Sequence, residues 1–460
     1  MTTHKKTKII ATIGPVSENE ETLEKFIALG IDGARLNFSH GNHQEHGNRI
    51  KLVRKISKKL NRHVAIIADI QGPKIRVGNL PEEGVVLENG QEITIDTSTK
   101  EYIEGRIPLP STFFRDGTKE GHIVFLDDGT LQLKITSVDA EIFKAIVLKG
   151  GTLFSKKGIN VPSLEITSGI LNAKDKADIE FAVKAGADYI ALSFLRNAQD
   201  IKEAKDFLGK SKIKIIAKIE RPEALVNIEE IVNEADAVMV ARGDLGIETP
   251  LWELPVRQKE IIEMVRSKMK PVIVATQMLD SMIRNPIPTR AEVSDVANAV
   301  FDATDCVMLS GESANGKYPV EAVDMLKKIL ESTDSHQDPL HEEFMEEPTG
   351  QISAARSAVD IAQGSNVKAI ITEVTDGVFA KIISQFRPEC IIVAVTKDEA
   401  TARALALVRG ITPFFSKSRN FIEDAKNFLK KNAGLEKGDK ILCTTKSGKK
   451  SDSAIKVETI

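Results

Sequence analysis

Lys212-Ile213-Lys214-Ile215-Ile216-Ala217-Lys218-Ile219-Glu220-Arg221-Pro222 and, a few residues on, Ala237-Val238-Met239-Val240-Ala241-Arg242-Gly243-Asp244-Leu245-Gly246-Ile247-Glu248 form the stretch on which the fold turns. Two apolar runs of strand length, Ile213–Ile219 and Ala237–Ala241, each end in charge: Lys218 and Glu220 on the first, Arg242 and Asp244 on the second. Apolar runs of this kind suit buried parallel strands whose carboxyl ends open on a site. Side chains alternate along a strand, so Lys218 and Glu220 share a face. Glu220 and Asp244, from successive strand ends, are candidate oxygen ligands for one divalent ion of the Mg²⁺ type. Lys218 adds a positive charge beside it, which a transferring phosphoryl group needs. Taken alone, a Lys-x-Glu is more often a surface pair, so the rest of the chain has to decide.

Upstream, Thr7–Ile13 reads as a strand stopped by Gly14-Pro15, and Ser17 as the cap of a helix, with Glu20 three residues on. Gly33–Ser39 and Val64–Ile70 are two more strands, separated by a basic amphipathic helix at His46–Leu60. Between Pro73 and Glu165 the pattern changes to short β-like runs (Gln91–Asp96, His122–Leu126, Leu131–Val138, Glu141–Leu148) divided by turn clusters such as Asp127-Asp128-Gly129. Alternation resumes at Asn172, with strands at Tyr189–Phe194, Ile213–Ile219, Ala237–Ala241, Pro271–Thr276 and Asp305–Leu309.

Eight strand-like runs alternating with helices predict an α/β fold: a closed (β/α)₈ TIM barrel interrupted after its third strand by a small β-barrel lid. The alternative, an open doubly wound sheet, calls for a Gly-x-Gly-x-x-Gly turn, and none is found. In such a barrel the polar residues at the strand ends converge at one pole: Arg35 to His40, Asp69, Ser193, Lys218 and Glu220, Asp244, Thr276-Gln277 and Ser310-Gly311-Glu312. The acidic Ser332–Gly350 stretch reads as a linker, and strands at Ala369–Val374, Ile391–Thr396, Thr412–Ser416 and Lys440–Thr445 give a C-terminal α/β domain suited to regulation or assembly. The domain limits are therefore 1–72 and 167–333 for the barrel, 73–166 for the lid and 334–460 for the last domain.

With 460 residues, 28% charged, and a net charge of −3, the chain has the balance of a globular protein without the excess that nucleic acid or an anionic membrane demands. No stretch has the length of a membrane span, and no secretory leader is evident at the start. Cys306, Cys390 and Cys443 lie apart in or beside apolar runs and read as reduced thiols, which fits a cytoplasmic setting.

The chain resembles the pyruvate kinase family, bacterial type, over nearly its whole length. The resemblance rests on Thr12-Ile13-Gly14-Pro15, Ala34–Gly41, Gln71–Arg76, Asp127-Asp128-Gly129, Lys156–Pro162, Lys218-Ile219-Glu220, Met239–Ile247, Ala275–Leu279, Pro288–Glu292 and Met308–Glu312. It implies phosphoryl transfer from phosphoenolpyruvate to ADP, giving pyruvate and ATP, with Mg²⁺ or Mn²⁺ and in a homotetramer. By family position Glu220 and Asp244 are the metal ligands, and Lys218 stabilises the moving phosphoryl and the enolate. Arg35 holds the phosphate, while Gly243, Asp244 and the Thr276 hydroxyl take the carboxylate, the hydroxyl serving directly or in a water relay. Asn37, His40, Arg76 and Lys157 map to the nucleotide, and Asn37, Ser39, Asp69 and Ile70 to a monovalent-cation position.

Two departures stand out. Many family members carry Glu where this chain has Lys74, and that Glu accompanies a need for K⁺. Here the chain resembles the K⁺-independent subgroup, with the Lys74 ammonium a candidate substitute for the ion. In the C-terminal domain, Glu373-Val374-Thr375-Asp376-Gly377-Val378-Phe379 replaces a Ser/Thr-rich phosphate loop, and the basic Lys446–Lys450 tail departs from a Gly-rich one, so activation by fructose 1,6-bisphosphate through the usual contacts is not expected. Two rival readings are a barrel lyase that forms a Schiff base through Lys218, and a ligand sensor without turnover. The sensor should have lost Lys218, Glu220, Asp244 or Thr276, and all are present.

Overall fold

Eight strands close into a parallel barrel: β1 (Lys8–Thr12), β2 (Gly33–Asn37), β3 (Ala65–Asp69), β4 (Tyr189–Leu192), β5 (Lys214–Ile219), β6 (Ala237–Ala241), β7 (Val272–Ala275) and β8 (Cys306–Leu309). Each pairs with its sequence neighbours, and β1 pairs with β8 to complete the ring. The computed structural model describes residues 5–162, 164, 169–336, 350–447 and 452–460.

Parity along the strands sets which side chains meet. Ile10, Ala65, Ile67, Ala191, Ile216, Met239, Ile273 and Met308 fill the inside of the cylinder. Their neighbours Ile9, Ala11, Ile66, Ala68, Ile190, Ile215, Ala217, Val238, Val274 and Val307 pack outward under the helices. Two residues beyond four of these inward apolar positions, a polar residue tops the same face: Thr12 after Ile10, Asp69 after Ile67, Ser193 after Ala191, Lys218 after Ile216. The apolar filling below lifts these groups to the carboxyl pole.

The opposite pole is stoppered by the C-terminal domain. Ala404 and Leu407 join the interior apolar cluster, and Tyr189 Oη donates to the Ala404 carbonyl at 3.0 Å. A Cβ on Gly33 would fall 2.9 Å from the Leu407 Cδ2, so any larger residue there would make the Leu407 side chain shift. The C-terminal sheet runs Ile411–Phe415, Ile391–Thr396, Ala369–Glu373, Lys440–Ser447, Asp452–Thr459, the last pair antiparallel. That final strand escaped the sequence reading because its charged and polar residues look like a solvated tail.

The inserted segment forms a seven-stranded sheet and a two-stranded ribbon around its own apolar cluster, with one short helix at Thr112–Gly117. The 166/167 limit of this domain lies outside the described residues. The segment returns to the barrel through its Gly158–Asn160 strand, where Asn160 Nδ2 donates to Glu248 Oε1 at 2.9 Å.

Three local expectations are corrected. The first helix, Glu20–Leu29, is capped by Asn19, whose side chain accepts from Thr22 N, not by Ser17. Ser17 is buried and its hydroxyl accepts from Gly14 N, closing the Pro15 turn one step earlier. The second helix begins at His43 because Asn42, not a later residue, accepts from Glu45 N. Ser332 is helical, not linker: the Pro319–Asp334 helix runs on because Thr7 and Arg409 grip the buried Asp334 carboxylate, and 337–349 lie outside the described residues.

The lid joint carries a pH signature. Burial pushes the Glu248 carboxyl up to about 7, against the pull of Asn160 and Arg221, and its Oε2 is buried without a hydrogen-bond partner. A carboxyl whose folded pKa exceeds its ordinary value of 4.5 binds more protons folded than unfolded, so stability is lost as pH rises from about 4.5 to 7. The loss amounts to about 3 kcal/mol at most. Glu248→Gln keeps the acceptor for Asn160 and removes the titration. Urea unfolding should show wild type losing stability between pH 5 and pH 8 relative to this variant; parallel profiles would contradict the assignment.

Candidate active site

Arg35, Asp69, Lys218, Glu220 and Asp244 all face one cleft of about 280 Å³ at the carboxyl pole. Asn37, Ser39, His40, Lys74, Arg76 and Lys157 line the same cleft from the barrel rim and the inserted domain. Ile70 does not. Its side chain is buried in the outer layer, because one step of strand parity turns it away, and only its carbonyl reaches inward, accepting from Ser193 Oγ at 2.8 Å.

Lys218 lies at the centre. Its Nζ is 2.7 Å from Ser193 Oγ, 3.1 Å from Asp69 Oδ1 and 2.8 Å from Glu220 Oε1. Burial would lower the Lys218 pKa, but Asp69 and Glu220 more than offset this and hold it above the ordinary lysine value. Asp69 also takes Arg35 Nε at 2.6 Å, and Arg35 Nη1 donates to Thr12 Oγ1 at 3.1 Å. Burial favours the neutral Asp69, yet Lys218 and Arg35 together keep it below the usual carboxylate range. One carboxylate thus sets the position of two cations.

Glu220 behaves differently. Burial raises its pKa; Lys218 opposes this, and Asp244 adds to the rise. Its Oε2 accepts from the Phe194 amide at 2.7 Å, while Oε1 has no aligned hydrogen bond, the Lys218 contact being an ion pair. A buried carboxylate oxygen with spare lone pairs, repelled by a second carboxylate in the same cleft, fits a divalent cation. Among the described residues no group of three or more His, Cys, Asp or Glu side chains is arranged to hold a metal ion by itself. Two protein carboxylates with the remaining positions left to water and phosphate suit Mg²⁺.

Asp244 sits in the first turn of the Arg242–Glu248 helix, which starts directly where β6 ends. Lys74 Nζ lies 3.0 Å from Asp244 Oδ1 and over the Phe194 ring, so a cation from the start of the inserted segment reaches the candidate metal ligand. Gly243 N donates to Thr276 Oγ1 at 2.8 Å. Burial, with Arg76, Arg35 and Lys74 nearby, lowers the His40 pKa, leaving a neutral ring at pH 7. Lys157 pairs with Asp127 at 2.7 Å, and Arg76 Nη1 donates to the Lys156 carbonyl.

The sequence reading did not find Thr12 as the Arg35 support, nor the Phe194 amide. Phe194 adopts φ of +59°, which turns its N–H toward Glu220, and no sequence signal marks a left-handed phenylalanine. In the C-terminal domain, Asp376 Oδ1 accepts from Val378 N at 3.0 Å, so a carboxylate already occupies the start of the Val378–Gln385 helix.

Residues 4–323 match the family "Pyruvate kinase, barrel domain" and residues 353–457 "Pyruvate kinase, alpha/beta domain". The chain is 41% identical over 453 residues to a pyruvate kinase of Geobacillus stearothermophilus, covering 96% of this chain and 77% of that one. It is 40% identical over 450 residues to a pyruvate kinase of Thermococcus litoralis, covering 96% and 94%. A crystal structure of a pyruvate kinase from Cryptosporidium parvum superposes with a TM-score of 0.92 at 35% identity, covering 99% of this chain and 96% of that one.

Asp69→Asn leaves Arg35 and Lys218 buried beside each other without their shared counter-charge. The expected cost is about 3–5 kcal/mol, read as a lowered urea midpoint; a loss under ~1 kcal/mol, the scale of an exposed pair, would show that Asp69 does not organise the site.

Proposed function

The chain belongs to the pyruvate kinase family, and from that premise we propose how its own residues move the phosphoryl group from phosphoenolpyruvate to ADP. It is a phosphotransferase of glycolysis with phosphoenolpyruvate and ADP as substrates and pyruvate as product. The observation that carries the mechanism is the meeting of the Lys218 ammonium, the Arg35 guanidinium and the Glu220 and Asp244 carboxylates in one cleft.

Arg35, steadied by Asp69 and Thr12, binds the phosphate of phosphoenolpyruvate with its remaining donors. Lys218 stays protonated through its pairing with Asp69 and Glu220, and so presents a fixed charge to the equatorial phosphoryl oxygens and to the enolate oxygen left behind. Glu220 and Asp244 hold Mg²⁺, or Mn²⁺ in its place. The bound ion supplies Lewis-acid neutralisation of phosphoryl charge. The Gly243-Asp244 backbone at the helix start and the Thr276 hydroxyl receive the carboxylate, the Gly243 N–H exchanging its bond to Thr276 for the substrate. Asn37, His40, Arg76 and Lys157 address the nucleotide, with the inserted domain closing as a lid that excludes water.

A Lys218 held in its charged form is a poor nucleophile, which counts against the Schiff-base lyase. Lys74 at Asp244 supports independence from K⁺, since it brings an ammonium into the cleft that Asn37, Ser39 and Asp69 also line. We further propose self-association through the exposed Leu251, Trp252, Val256 and Ile287, of which Trp252 is 81% exposed, as part of a homotetramer. A cytoplasmic setting follows from the glycolytic role, and no helix among the described residues is long and apolar enough to cross a membrane.

A coupled pyruvate assay with and without Mg²⁺ tests the core of this reading. Lys218→Met should lower kcat at least ~10³-fold; an unchanged rate would remove Lys218 from the chemistry. With tetramethylammonium as the sole monovalent cation, wild type should keep most of its activity. Added fructose 1,6-bisphosphate should leave the half-saturating phosphoenolpyruvate concentration in place. Collapse of the rate with tetramethylammonium, or a large drop in half-saturation with fructose 1,6-bisphosphate, would overturn the respective assignment.

A further inference from the structure

The turn that follows β7 holds two successive residues in the left-handed region, Thr276 at φ +71° and Gln277 at φ +54°. Left-handed backbone is unfavourable for any residue with a Cβ and most so for a β-branched one, and such strain persists only where the surroundings enforce it. Here the enforcing group is visible. Arg242 Nη2 and Nε donate to the Thr276 carbonyl at 2.7 and 3.2 Å, a two-point grip on the strained peptide. The guanidinium is itself fixed: Nη1 lies 2.8 and 2.7 Å from the two oxygens of Asp295, on the Arg290–Phe301 helix, and 3.5 Å from Gln258 Oε1 on the Leu254–Ser267 helix.

The grip has a direction. With its carbonyl held, Thr276 turns its hydroxyl to donate to Ala275 O at 2.6 Å and to accept from Gly243 N at 2.8 Å. The approach is close, since a Cβ built on Gly243 would stand 3.6 Å from the Thr276 side chain. Arg242 immediately precedes Gly243, so one residue ties the start of the Asp244 helix to the end of the neighbouring strand.

We propose that Arg242, braced by Asp295, is a positioning residue that holds Thr276 in its left-handed conformation and thereby aims the hydroxyl at the Gly243 amide, where the carboxylate of phosphoenolpyruvate is received. This rests on the carboxylate-binding role given above to Gly243 and Thr276. Arg242 touches no substrate; it acts through the peptide of Thr276. Its loss therefore falls on phosphoenolpyruvate and spares ADP, whose proposed contacts lie on the Arg76 and Lys157 side of the cleft.

Three variants test it. Arg242→Lys keeps a charge for Asp295 but loses the two-point grip, and should lower kcat/KM for phosphoenolpyruvate about 100-fold, the usual effect of misplacing a group by about 1 Å. KM for ADP should stay within roughly twofold, as expected where a substrate's own contacts are untouched. Asp295→Asn, at a half-exposed position that tolerates the change, should act in the same selective direction but less. Adding Gln277→Gly to Arg242→Lys should restore about tenfold, because glycine adopts the left-handed region without penalty. A purely structural ion pair predicts none of this selectivity or rescue. Unchanged kinetics in Arg242→Lys and Asp295→Asn, or losses shared equally by ADP and not recovered by Gln277→Gly, would overturn the proposal. Absence of phosphoryl transfer in wild type would instead remove the functional reading beneath it.

Discussion

Asp69 sharing its two oxygens between Lys218 and Arg35 is the constraint from which the rest of the site follows. Two buried cations cannot stand side by side at a barrel mouth without a counter-charge, and one carboxylate at the end of β3 supplies it for both. The arrangement also assigns roles within the cleft. Asp69 is consumed by internal pairing and is held ionised. Glu220, with Oε1 ion-paired to Lys218 at 2.8 Å, is pushed toward the neutral form by burial and by Asp244. A divalent cation held between Glu220 and Asp244, as proposed above, would reverse that push.

Position at the mouth is inherited from the barrel. Inward-pointing apolar residues at every second place fill the cylinder, and the polar residue two steps beyond is carried to the rim. The inserted domain then adds cations from above, through Lys74 on Asp244 and through Arg76 and Lys157. Its return strand meets the Asp244 helix at the far end, where Asn160 contacts Glu248. The helix that presents the candidate metal ligand is thus held at its start by the Thr276 turn and at its end by the lid.

What could be read from the sequence was what depends on period and spacing. Eight apolar runs ending in polar residues announced a barrel with a polar pole, and strand parity placed Lys218 and Glu220 together. Ile70, placed at the monovalent-cation position by resemblance, has its side chain buried in the outer layer and turns its carbonyl inward to Ser193. The short helix that begins at Arg242 directly after β6 carries no cap signal in Arg-Gly-Asp-Leu-Gly, and a helix start at Gly243-Asp244 was implied by the resemblance alone. The conformations of Phe194 and Thr276 were out of reach, because non-glycine residues at positive φ are imposed by tertiary contacts and leave no mark in local composition. Caps were misplaced by a few residues where several of Ser, Asn and Asp compete within one turn, as at Ser17 and Asn19.

The stopper at the base of the cylinder has a temporal meaning. Ala404 and Leu407 lie nearly a hundred residues after the strand that closes the ring, yet they occupy its floor, under Tyr189 and against Gly33. During synthesis, a nascent chain that has emerged only through Leu309 possesses all eight staves but an open, greasy underside. The floor of the barrel is covered only once the residues through Leu407 have been made.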